Sequence, residues 1–96
     1  MTVNTENIDG SCKMVIEGEM TIINAADLKK DIIGALNGSQ ELEIDLSQVC
    51  EFDTAGLQLL VLARREAENS NKGFRISLCS QPVTAVMELL DMKGYF

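Results

Sequence analysis

The stretch that decides the fold is "IDLSQVCEFDTAGLQLLVLA", Ile44 to Ala63. Its first residues complete "ELEIDLS", a strict alternation in which Leu42, Ile44 and Leu46 share one face and Glu41, Glu43, Asp45 and Ser47 the other. Period two is the period of a strand with one face buried. "QVCEF" reads as a short connection. Asp53 then stands as the cap of a helix whose first residue is Thr54. From Leu57 to Ala63 that helix offers few polar positions, so it is buried on more than one side or carries a sticky face. It turns polar over "RREAENSNKG" and is expected to finish at Gly73.

Outward from this corner, strands and helices alternate. "CKMVIEG" alternates with Met14 and Ile16 on one side and Lys13, Val15 and Glu17 on the other; Gly18 and Glu19 mark a turn, and "MTII" reads as a second strand of a hairpin. Asn24 is the expected cap of a helix with Ala25, Leu28, Ile32, Ala35 and Leu36 at helical spacing, Asp27 in its first turn and "NGS" at its end. "FRISLC" is a strand. Ser80 or Gln81 caps the last helix, with Pro82 where a missing N–H costs nothing, Val83, Val86, Met87 and Leu90 on one face, and Gly94 as terminator. Residues 1–10 are polar and acidic and are expected as a flexible lead-in. The order is β-β-α-β-α-β-α, which implies a sheet covered by helices.

Size and charge narrow the function. Ninety-six residues make one small domain, with 46% hydrophobic residues and a formal charge of -7. The acidity is uneven: residues 1–60 hold eleven acids and three bases, residues 61–96 four acids and five bases. A negative field repels phosphate backbones, so nucleic acid is not an expected partner; a protein with a basic face is. The chain has no histidine, and its three cysteines (Cys12, Cys50, Cys79) lie far apart without a C-x-x-C pair. No metal site is expected, and the thiols read as small core hydrophobes in a reducing, cytoplasmic setting. The N-terminus has no basic signal-peptide start, and no apolar stretch reaches membrane-spanning length.

The corner holds two acids. Asp45 and Asp53, eight residues apart, are of the type that binds a cation or works as an acid/base pair. Nothing joins them: no histidine moves protons, and no lysine or arginine lies in the loop to hold an anion. No catalytic residue, cofactor or enzyme activity is expected. Asp53 has a structural duty as a cap, worth roughly 1 kcal/mol. Thr54 would hold its hydroxyl beside an exposed helix N-terminus, where an added phosphate meets the dipole and free N–H donors. Gly56 early in a helix costs roughly 1 kcal/mol relative to alanine and calls for a close approach by another backbone, within the fold or from a partner. Met14, Met20, Met87 and Met92 are expected in the core or at its rim, and Lys29, Lys30, Arg64 and Arg65 on solvated helix faces.

These residues resemble a family. "DLSQVCEFDTAGL" is similar to the central motif of STAS domains, the fold of sulfate transporters and anti-sigma-factor antagonists: strand, then D-L-S-x-V-x-x-[IVF]-D-[ST]-[SAG]-G-L. "VIEGEMTIINAADLKKDI" resembles the family's early strand, turn and first helix, and "GFRISLCSQPVTAVMELLDMKG" its fourth strand and third helix. The resemblance implies a single α/β domain over residues 1–96, with a mixed, mainly parallel sheet and helices largely on one face. It implies a non-enzymatic module of the partner-switching type, with Thr54 at the position phosphorylated in anti-sigma-factor antagonists. The expected partner contacts are Asp45, Ser47, Asp53, Thr54, Ala55, Gly56, Leu57, Gln58 and Val61. The implied partner is a serine/threonine kinase-type anti-sigma factor or a related histidine-kinase-like ATPase, which would itself hold ATP and magnesium.

The motif departs from the familiar antagonists in carrying D-T-A-G where they carry D-S-S-G or D-S-T-G. That form resembles stand-alone chemotaxis-associated STAS proteins, and also the small cytoplasmic STAS subunit that binds the ATPase of a phospholipid ABC transporter. A small acidic carrier protein, with a modified hydroxyl at a helix start, is a further alternative, against which the two alternating strands count.

Overall fold

In the computed structural model, which describes residues 1–92 and 94–96, Asp9 and Gly10 both take positive φ, 50° and 85°. Two such residues form the tight turn whose twist matches the flanking strands of a hairpin, and Asp-Gly is a favoured pair for it. The turn joins β1 (Thr2–Ile8) to β2 (Ser11–Met20), antiparallel, with Ile8 opposite Ser11 and Thr2 opposite Glu17. The segment expected as a flexible lead-in is therefore a strand, and the hairpin turn lies at Asp9–Gly10, not at Gly18–Glu19. Gly18 sits inside β2 at φ 98°, beside a shift in register between β2 and β3. Such an irregularity in a strand is a common use of glycine, because a side chain there is strained. Thr21, Ile22 and Ile23, expected as the second hairpin strand, form the turn that leads into the first helix.

The rest follows in the expected order: α1 (Ala25–Asn37), β3 (Glu41–Phe52), α2 (Thr54–Asn69), β4 (Gly73–Cys79) and α3 (Gln81–Leu89). The sheet runs β1-β2-β3-β4, with β2, β3 and β4 parallel. α1 and α2 are the crossovers that parallel neighbours require. β3 is longer than "ELEIDLS": "QVCEF", expected as a connection, continues the strand and pairs with Glu17 to Met20.

One core holds the molecule together. Cys12, Met14 and Ile16 of β2 and Leu42, Ile44 and Leu46 of β3 turn the same face inward. There they join Leu28, Ile32 and Leu36 of α1, Leu57, Leu60 and Ala63 of α2, and Val83 and Met87 of α3. The other face of the sheet is charged. Glu43 pairs with Arg75 at 2.5 Å and Lys13 at 3.9 Å across three adjacent strands. Being solvent-exposed, these pairs add little stability. The protein is a single small α/β domain with a mixed, mainly parallel sheet.

Local details differ from expectation for clear reasons. Asn24 precedes α1, but its Oδ1 accepts from the Thr21 N–H at 3.0 Å and makes no bond to the helix. It ties the turn instead. Lys72, after α2, donates to the Leu36 carbonyl at the C-terminal end of α1, where a cation is favoured. α2 ends at Asn69, before Gly73, because Asn71 takes the left-handed conformation at φ 56°. α3 ends at Leu89, before Gly94, with Asp91 at φ 53°. Cys12 is buried, but Cys50 and Cys79 are exposed rather than core residues. Met14, Met20 and Met87 are buried, and Met92 packs at the rim.

Candidate functional site at the start of α2

Asp53 leaves β3 in extended conformation and caps α2. Its Oδ1 accepts from the N–H groups of Ala55 (2.9 Å) and Gly56 (3.2 Å). Its Oδ2 accepts from the Ile22 N–H at 3.1 Å. One carboxylate thus satisfies two orphan donors of the helix and a third donor from the turn between β2 and α1. The cap is also a clasp between two loops that lie 31 residues apart in sequence.

Gly56 explains how closely those loops meet. A Cβ on it would lie 2.6 Å from the Met20 carbonyl oxygen and 2.9 Å from the Phe52 ring. The close approach that its presence called for lies inside the fold. Gly56 and Leu57 are buried, so neither offers a side surface to a partner, contrary to expectation. What remains accessible is a strip of α2: Thr54 and Gln58 exposed, Val61 half-buried, at a spacing that stacks them on one helix face. Ala55 is half-buried at the edge of the strip.

Thr54 is the first residue of α2 and its side chain faces solvent. The free N–H donors expected beside it are not free. Those of Ala55 and Gly56 already belong to Asp53. A phosphate on Thr54 would lie next to an occupied carboxylate at an acidic corner, adding about two negative charges.

Asp45 is not part of this surface. It shares the sheet's outer face, as its period requires, but is only 8% exposed, with Val15 and Leu78 opposite it on the neighbouring strands. Its Oδ1 accepts from the Ser47 N–H at 2.8 Å, where the registers of β3 with both neighbours shift. The Ser47 hydroxyl, then the Ser47 N–H, hold its carboxyl below the usual range, with a smaller contribution from Lys13 and against the opposing effect of burial. Asp45 thus fastens an irregular strand, and Ser47 is half-buried beside it. The Cys79 thiol is pushed up by burial and by the Asp45 charge. Asp45 and Asp53 are each engaged by backbone, and no group of three His, Cys, Asp or Glu side chains gathers to hold a metal among the described residues.

Ile22 and Ile23 are not among the residues expected at the site. They are 73% and 85% exposed, on the turn that Asp53 clasps to α2. Their signal was present: two adjacent isoleucines cannot both face inward from a strand, and they stand directly before a helix start.

A family model described as "Mlab, STAS domain" matches residues 3–95. Solved structures with the same fold include an anti-sigma factor antagonist from Mycobacterium paratuberculosis, at 23% identity and TM-score 0.86, covering 99% of this chain and 81% of that one. The anti-sigma factor antagonist SpoIIAA in its unphosphorylated form matches at 17% identity and TM-score 0.79, covering 98% and 84%. The phosphorylated form of SpoIIAA, a Bacillus cell fate determinant, matches at 16% identity and TM-score 0.73, covering 98% and 87%. The four-stranded sheet does not suit an all-helical carrier protein, which removes the structural basis of that alternative. With a family match over nearly its whole length and a fold that agrees element by element, this chain belongs to the STAS domain family.

Proposed function

We propose that the protein is a non-enzymatic regulatory module of the anti-sigma-factor-antagonist type, which docks a protein partner through the start of α2 and releases it on phosphorylation of Thr54. The observation that carries this reading is exposed Thr54 at a helix start where the Ala55 and Gly56 backbone donors are already used by Asp53. With those donors occupied, a phosphate is not absorbed by the fold. Its charge is left to act on whatever sits against the corner. Asp53, Thr54, Ala55, Gln58 and Val61, with Ser47 from the middle of β3, form the contact; Gly56 and Leu57 shape it from within.

The partner is a serine/threonine kinase-type anti-sigma factor or a histidine-kinase-like ATPase, in a chemotaxis-linked or related signalling system. It supplies the ATP and magnesium of the phosphorylation. The setting is cytoplasmic; among the described residues no helix is long and apolar enough to cross a membrane. A second reading rests on the description of the matched family model and on the D-T-A-G sequence. In it the same corner contacts the ATPase of a phospholipid ABC transporter, and Thr54 serves as contact without modification.

Two measurements on protein from its native cell separate these. Co-purification of a kinase-like ATPase, with a fraction of the chain heavier by one phosphate on Thr54, supports the switch. Co-purification of a nucleotide-binding transporter subunit, with Thr54 unmodified, supports the second reading. A phosphopantetheine adduct contradicts both.

A further inference from the structure

Ile22 and Ile23 are the most exposed isoleucines of the chain, and their surroundings leave their exposure unexplained by the fold. Ile23 immediately precedes the residue before α1. An apolar residue there commonly packs against the fourth helical residue, here Leu28, and fixes the entry of the chain. Leu28 is fully buried, whereas Ile23 is 85% exposed, so that local contact does not account for it. The pair does not dangle either. Asn24 accepts from the Thr21 N–H and donates to the Glu19 carbonyl, and Asp53 holds the Ile22 N–H. Two apolar side chains are thus presented to solvent on a turn fastened from both sides, at low conformational cost for a partner that covers them.

The rim of this turn is acidic. Glu19 and Glu51 stand opposite each other on β2 and β3, and both are exposed. Like charges placed so are unfavourable. Asp27 lies in the first turn of α1 and Asp53 in the clasp itself. Among the described residues none of these four forms an ion pair with a lysine or arginine. A partner carrying cations at this rim would relieve the Glu19–Glu51 repulsion.

We infer that Ile22 and Ile23 are the apolar anchor of the partner contact, seated in a shallow apolar pocket of a protein whose rim carries lysine or arginine facing Glu19 and Glu51. This rests on the proposed docking corner and deepens it. Thr54 lies at the edge of the anchor, joined to it through Asp53, so a phosphate there would face the partner's rim of the same contact. An anionic lipid surface is disfavoured by the four acids.

The test places the photo-crosslinker p-benzoylphenylalanine in place of Ile22, Ile23 or Thr54, and of Asn7 as a distant control, in the full chain in its native cell. The expected result is one protein crosslinked from all three sites and not from the control, with the Ile22 and Ile23 crosslinks mapping to an apolar segment flanked by lysine or arginine. The protein so identified is then purified and titrated. The variant Ile22→Ser/Ile23→Ser should bind it at least about ten-fold more weakly with an unchanged melting temperature. Glu19→Gln/Glu51→Gln should weaken binding at low salt and remove most of its salt dependence. Crosslinks from Thr54 alone, or unchanged affinity of the serine variant, overturn the anchor and leave the docking corner standing. Crosslinks from none of the three sites, or to lipid alone, overturn both.

Discussion

Asp53, Gly56 and Asp45 each do one physical job that a single substitution isolates. Removing the Asp53 carboxylate leaves the donors of Ala55, Gly56 and Ile22 without their acceptor. Asp53→Ala should cost about 1–2 kcal/mol in urea unfolding, and the Ile22 amide should exchange hydrogen faster. Gly56→Ala drives a methyl group into the Met20 carbonyl and the Phe52 ring. Alanine's better helix propensity, worth about 1 kcal/mol, does not offset a clash with backbone, and a net loss of about 1–3 kcal/mol is expected. Asp45 titrates lower in the folded chain than in the unfolded one. Its stabilisation is therefore present above about pH 4 and is lost as pH falls through the lowered native value. Asp45→Asn keeps an acceptor for the Ser47 N–H but removes the charge. The gap in urea midpoint between the two proteins should be clear at pH 7 and narrow progressively as pH falls below about 4.

Among the elements, the middle and end of the chain were legible in the sequence and its beginning was not. β3, α2, β4 and α3 have strong periodicity, because each buries one face against the shared core, and α2 has a clear cap in Asp53. β1 was hidden because "TVNTENI" buries little; it is an edge strand whose only half-buried residue is Val3. Its one local signal was the Asp9-Gly10 pair, a turn signature that a polar context concealed. With the turn expected at Gly18–Glu19 instead, the expected hairpin is displaced by one strand. Gly18 makes the conformational demand of a turn, but a shift in register inside a parallel pair makes it too. The same displacement hides the isoleucine turn, since "MTII" fits a strand until pairing places Met20 at the strand's end. Within the site, Thr54 and Asp53 were readable from helix-start chemistry. The burial of Asp45, Gly56 and Leu57 was not, because it depends on contacts between segments far apart in sequence.

At the level of the whole molecule, the charge of -7 makes partner association sensitive to salt. Raising ionic strength should slow association more than it speeds dissociation, measured by stopped-flow mixing with the partner. The thiols report on the integrity of the fold. Cys50 and Cys79 should react with a thiol reagent in the native protein, Cys79 more slowly than an ordinary exposed thiol, because burial and Asp45 raise its pKa. Cys12, 3% exposed, should react only on unfolding.

The central claim is that the start of α2 is a docking corner switched by charge on Thr54. Calorimetric titration of Thr54→Glu against the co-purified partner tests it most directly. A Kd at least about ten-fold weaker than that of the unmodified chain, with the melting temperature unchanged, is the predicted result. Equal affinity of the two proteins would contradict it.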